Sequence, residues 1–203
     1  MIFIGLTQFE SVPITFILFY SWLFIIPLVT TFKSTELIKT FINEISSKAV
    51  IYGIVSGVFG LSTIFTLVSL LQTSLFNMDQ LTELLVSWHF SGSNVWGLIL
   101  ILLVINPFLE ELYWREFMHV RLLPVLGDRK TIFVTSFFYS LYHLLSLIPM
   151  LEMPFSLIAA IPVFLAGLLW GYFRIIFKTM VAPVISHVLA DLGIVFVYLY
   201  YFI

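Results

Sequence analysis

Residues 95–115 read VWGLILILLVINPFLEELYWR, and the reading of this stretch decides the fold. The run 95–109 is almost wholly apolar, and Glu110 and Glu111 stand side by side at its end. A bilayer core about 30 Å thick calls for roughly 20 such residues in a helix. An ionised carboxylate is costly in hydrocarbon, so an acid at that depth marks a functional site by default. Two adjacent acids also repel, which makes ionising both harder than ionising one. Arg115 follows Glu111 by four residues on the same helical face and is placed to pair with it. Glu110, about 100° round the helix, has no such local partner. Pro107 cannot donate to the carbonyl of Leu103, so the helix is expected to kink or loosen just before the acid pair. The plainer reading is a helix end at the membrane boundary, with Glu-Glu-Arg among the headgroups. The depth of the acids decides between the two.

Composition extends this reading to the whole chain. Of its 203 residues, 61% are hydrophobic and 10% charged, and the mean hydropathy is +1.12. A soluble domain carries about 25% charged residues. The chain is therefore expected to be all-α, a polytopic membrane helical bundle, with no room for a soluble catalytic domain. A net charge of −2 argues against nucleic acid as a partner. The absence of cysteine removes disulfides, thiolate metal sites and a cysteine nucleophile. Residues 1–32 lack a basic leader and are not read as a cleaved signal peptide.

Six apolar runs predict membrane spans at 12–32, 49–71, 95–112, 132–150, 155–173 and 180–203. The third is expected to continue as helix through Trp114 towards Arg121. Lys33, Lys39 and Lys48 lie between spans one and two, Arg115, Arg121, Arg129 and Lys130 between three and four, and Arg174 and Lys178 between five and six. These are all nine basic residues, and the alternate connections hold none. The positive-inside rule then puts the three basic connections in the cytoplasm and both termini outside, in a multi-pass protein of the cell membrane. Residues 34–47 carry an apolar stripe of Leu37, Ile38, Phe41, Ile42 and Ile45, which predicts an amphipathic helix on the cytoplasmic interface or on the protein's own loops. Leu81, Leu84, Leu85 and Trp88 predict a second short surface helix, on the outer side. Gly53-xxx-Gly57 and Gly167-xxx-Gly171 are read as faces where helices approach closely. The expected organisation is one compact membrane domain: a transmembrane pair with its interfacial helix over 1–94, and a core over 95–203.

Few ionisable groups remain inside the spans: Glu110, Glu111 and Arg115 in the third, His143 in the fourth, His187 and Asp191 in the sixth. At 1.5 Å per residue, Glu110 lies roughly 16 Å in from Arg121, and His143 roughly 19 Å in from Lys130. His187 and Asp191 lie roughly 13 and 19 Å in from Lys178. Three helices thus bring their rare polar groups to one layer near the middle of the bilayer, against the boundary reading. His187 and Asp191 are four residues apart on one face, so Asp191 is placed to accept from an imidazole nitrogen and set its tautomer. Tyr139 and His143 share a face by the same spacing. Pro183 suits the first turn of a helix, so 178–182 is expected to be a break, of the kind tolerated at depth where it lines a cavity or packs on protein.

Glu110-Glu111-xxx-Arg115, Tyr139-xxx-His143 and His187-xxx-Asp191, in that order on three membrane helices, resemble the three motifs of the CAAX protease and bacteriocin-processing family, also called Abi-domain proteins. Pro107, Gly167-xxx-Gly171 and the stretch Ala182 to His187 also look like that family. The resemblance covers 95–203. Two positions depart from the pattern: Tyr139 stands where Phe is usual, and Trp114-Arg115-Glu116 where Phe-Arg-Gly is frequent. The resemblance implies an intramembrane endopeptidase acting on a membrane-associated peptide or protein within the lipid bilayer. It implies that Glu110 is the base that activates water, helped by His143. His187 and Asp191 would polarise the scissile carbonyl and stabilise the oxyanion. Glu111, Arg115 and Tyr139 would be structural or substrate-orienting.

Other chemistries fit the residues less well. No His-Glu-xx-His helix is present. Ser91-Gly92-Ser93 lies in an outward connection, and a lone span aspartate makes no aspartic dyad. A Zn2+ site of Glu110, His143 and His187 is chemically conceivable, but no metal or other cofactor is expected, because only His187 has a visible supporting carboxylate on its own face. Two readings outside protease chemistry remain. A proton or ion transporter would use a midplane Glu, His and Asp relay, but the halves of the chain show no inverted repeat. A non-catalytic peptide-binding immunity protein would keep the same residues without turnover.

Overall fold

The computed structural model describes residues 1–30 and 45–203. Every regular element among the described residues is helical. A π-helical turn, Ile4–Gln8, precedes α1 (Val12–Thr30). Then come α2 (Ser47–Leu75), the short α3 (Met78–Ser87) and α4 (Val95–Glu111). α4 runs without interruption into a π-helical stretch, Leu112–Met118, and on into α5 (His119–Leu126). The chain ends with α6 (Asp128–Met150), α7 (Phe155–Phe177) and α8 (Val181–Phe202). Among the described residues, six helical segments are long and apolar enough to cross a membrane, the third being the continuous rod Gly92–Leu126. The chain is a polytopic helical bundle, as its composition predicts.

The ends of the spans differ from the apolar runs in a consistent way. α6 begins at Asp128, before Arg129 and Lys130, and α7 continues past Arg174 to Phe177. Hydropathy marks the hydrocarbon slab, whereas charged residues extend a helix freely once it has left the slab. The stops are set by backbone chemistry. Gly127, at φ +71°, separates α5 from α6, and Lys178 closes α7 in the left-handed conformation. Residues 178–180 form the expected break, and Pro183 sits in the first turn of α8. Asn77 caps α3, its side chain accepting from the backbone of Asp79 and Gln80. Leu81, Leu85 and Trp88 are buried, so the short helix expected there forms and turns its stripe inward. The interfacial helix expected over 34–47 falls, but for its last residues, outside the described residues; Ser46 there caps α2, accepting from Ala49 at 3.1 Å. The rod stays α-helical through Pro107 to Glu111, and the irregular stretch comes after the acid pair.

Glycine decides which helices pair. In lipid there is little hydrophobic drive between helices, so close backbone approach and van der Waals packing carry the association. A Cβ on Gly53 would lie 3.0 Å from the Ala182 carbonyl oxygen, and one on Gly57 would lie 2.7 Å from Leu189 Cβ. Both faces belong to α2 against α8, the most extensive helix pair of the bundle. Gly167 meets Ser136, which locks α7 onto α6. α4 then packs on α1 and α8 and fills the middle of the bundle. Large side chains such as Ile51, Phe59, Leu70, Phe133 and Ile161 remain on the outer surface, as lipid-facing positions do.

Candidate active site

The π-helical stretch keeps Arg115 within reach of the acid pair. Its Nε lies 3.2 Å from Glu111 Oε2, and both side chains are essentially inaccessible, at 1% and 0% exposure. Two buried charges are tolerable only when paired and further satisfied. Arg115 Nη2 donates to the Gly167 carbonyl at 3.3 Å. Its guanidinium also lies 4.5 Å above the centre of the Tyr139 ring and 5.3 Å from that of Trp170. The second Glu111 oxygen, Oε1, accepts from His187 Nδ1 at 3.0 Å. Glu111 thus has one oxygen hydrogen-bonded to His187 and the other ion-paired with Arg115, the latter without a hydrogen bond of regular geometry.

Glu110 is equally buried but less committed. Its Oε2 has no hydrogen-bond partner and lies 3.7 Å from His187 Nε2. Tyr142 turns its buried hydroxyl towards this carboxyl without closing a regular hydrogen bond. Three oxygens surround His187 Nε2: the Tyr139 hydroxyl at 3.4 Å, Asp191 Oδ2 at 3.6 Å and Glu110 Oε2 at 3.7 Å. Asn106 Nδ2 donates to that same Asp191 oxygen at 3.2 Å. The indole of Trp170 stacks on the His187 ring, 4.2 Å between centres and 18° between planes. Trp170 Nε1 in turn donates to Ser186, whose hydroxyl also accepts from Ser56 on α2.

Helix α4 with its π-helical continuation, α6 and α8 therefore bring Glu110, Glu111, Arg115, Tyr139, His187 and Asp191 into one cluster. His143 is the exception. Its Nδ1 donates to the carbonyl of Tyr139, one turn back in its own helix, at 2.8 Å, and its ring lies against those of Tyr139 and Tyr142. No hydrogen bond or ion pair joins it to Glu110 or His187. Among the described residues, no group of three or more His, Asp or Glu side chains is arranged to hold a metal ion. Asp191 was expected to be the imidazole's acceptor, yet the shorter contact is with Glu111, because the fold turns Nδ1 towards α4.

Several residues of the cluster escaped the sequence reading. Asn106 lies four residues before Glu110, and its amide in an apolar run was a usable signal. Trp170 sits between the paired glycines of α7, and nothing local distinguishes it from a packing aromatic. Glu116, the departure noted beside Arg115, is paired with Arg174 at 2.8 Å and stays out of the cluster.

The sequence matches the family described as Type II CAAX prenyl endopeptidase Rce1-like over residues 92–201, just over half of the chain. No curated protein and no solved structure matches it. The matched region begins at the foot of the rod that carries Glu110 and ends within the helix that carries His187 and Asp191. The chain belongs to the Rce1-like family of type II CAAX prenyl endopeptidases.

Proposed function

We propose that this protein hydrolyses a peptide bond of a membrane-associated protein or peptide with a water activated by Glu110. The observation that carries the reading is the unequal setting of the two glutamates. Glu111 is held by Arg115 and His187, whereas Glu110 keeps an uncommitted buried oxygen facing the same imidazole. A general base needs such a free acceptor within reach of the water it deprotonates. Glu110 takes a proton from water, and the hydroxide adds to the scissile carbonyl carbon. His187 and Asp191 hold the scissile carbonyl beside Glu110, and donors at that position stabilise the oxyanion that develops there. The tetrahedral species collapses, the C–N bond breaks, and the amine leaves with the proton held by Glu110. His143, with Nδ1 tied to a carbonyl, keeps Nε2 as an acceptor and assists Glu110 in activating the water. Glu111 and Arg115 hold the His187 ring. No metal enters this scheme.

The family's name points to prenylated CAAX chains as the substrate class. In the proposed orientation the basic connections face the cytoplasm of the cell membrane, where such chains would arrive, and both termini lie outside. Comparing membrane-protein termini in a wild-type strain and a Glu110→Ala strain tests the reading. A terminus lost in the variant identifies the substrate, and identical terminomes would count against turnover. In that case a peptide-binding, immunity-type role would gain.

A further inference from the structure

The position where this chain departs from the family pattern, Tyr139 in place of Phe, has its hydroxyl inside the cluster. We propose that this hydroxyl donates a hydrogen bond to the oxyanion formed at the scissile carbonyl, which makes Tyr139 a catalytic residue. The inference rests on the endopeptidase reading above.

The argument follows the proton on His187. Glu111, paired with Arg115, is an acceptor, so His187 Nδ1, at 3.0 Å from it, carries the ring proton in the neutral imidazole. Nε2 is then a lone pair, not a donor. Of the three oxygens around Nε2, those of Glu110 and Asp191 are acceptors when ionised. The Tyr139 oxygen, at 3.4 Å, is the one that brings a proton. If the ring is neutral Nε2 has no proton to give, and if it is charged the Nε2 proton faces the Glu110 and Asp191 carboxylates, so His187 has no free donor for an oxyanion and Tyr139 supplies it.

Its position is well held. Tyr139 is 2% exposed, its ring is clamped by the Arg115 guanidinium at 4.5 Å, and Trp170 meets it edge-on at 5.8 Å. In the resting enzyme the hydroxyl rests on Nε2 through a long contact. When hydroxide adds to the carbonyl and the C=O electron pair moves onto oxygen, the hydroxyl turns its hydrogen bond to that oxygen. No covalent bond to Tyr139 forms or breaks. A donor placed beforehand where charge develops is worth more than one that must reorganise.

Tyr139→Phe tests this, because it removes one oxygen and restores the residue usual at this position. The probe is an internally quenched prenylated CAAX peptide presented to the purified full-length protein in proteoliposomes. The variant should lose roughly 10- to 100-fold in kcat, with KM within about threefold, as expected for a contact made only in the transition state. In a ¹⁵N-histidine spectrum, His187 Nε2 should move downfield towards a bare imine nitrogen while the Nδ1–H signal to Glu111 stays in place. Unchanged kcat in a variant whose wild type cleaves the probe would overturn the role of Tyr139 alone, as would an unmoved Nε2 signal. A wild type that cleaves no probe would overturn the endopeptidase reading itself.

Discussion

Glu110 and Glu111 are neighbours in the chain with the same side chain, and their surroundings separate them. Replacing Glu110 by Gln keeps the volume and removes the proposed base. Cleavage should fall by about 10²–10⁴-fold while the protein still inserts and purifies, and near-normal turnover would remove Glu110 from the base role. His187→Ala should do the same in the same assay. Arg115→Ala is expected to act otherwise, by leaving the fully buried Glu111 with His187 as its one polar partner. Breaking a buried pair from one side costs about 3–5 kcal/mol, so reduced yield and a lower unfolding temperature in detergent should accompany the lost activity. Metal dependence also belongs at this scale. Cleavage should survive chelation and dialysis, with far less than one metal per chain by elemental analysis. Activity that vanishes on chelation and returns with zinc would recast Glu110, His143 and His187 as ligands.

Among the helices, α8 has the most exacting place, since it carries His187 and Asp191 and is seated on the glycines of α2. The Gly57 position meets Leu189 and Ser186, and Ser186 precedes the histidine directly. A side chain at Gly57 must push α8 outward, or bend it, beside the site. Gly57→Leu should therefore destabilise the bundle by about 1–3 kcal/mol, read as a lower unfolding temperature, and should also reduce cleavage. Gly97→Ala is the control, because nothing lies within 4 Å of the added atom. Equal behaviour of the two variants would show that the α2–α8 approach does not position the site. The π-helical stretch is the other local feature with consequence: such stretches often occur at functional sites, and this one delivers Arg115 to both Glu111 and Gly167.

Across the whole molecule, charge asymmetry is the basis of the proposed orientation. Apart from Arg115, which is buried in the cluster, every lysine and arginine lies in or beside one set of connections, and single cysteines introduced into this cysteine-free chain report the topology cleanly. A cysteine at Ser91 should react with an impermeant reagent on intact cells, and one at Lys130 only after permeabilisation. The reverse pattern would overturn the proposed orientation. The bundle also explains how so polar a cluster is tolerated in so apolar a chain. Its charges are opposed, its rings stacked, and α1, α2 and α7 stand between much of it and lipid.

The sequence by itself determined the class of fold, because a bilayer imposes its thickness on every crossing helix and leaves a run of apolar residues for each. It also singled out the polar residues at depth, since hydrocarbon makes each of them expensive. Helical spacing sufficed for the Glu111–Arg115 pair, which lies within one helix. Only the tertiary structure decided what lies between helices. It gave Glu111 to His187 Nδ1, set Tyr139 beside Nε2, brought Asn106 to Asp191 and Trp170 onto the imidazole, and left His143 bonded to its own backbone. Those contacts depend on the rotation and approach of helices far apart in the chain, which are set by glycine faces and ring packing. A periodicity of 3.6 residues describes a helix's own faces and says nothing of what stands opposite them.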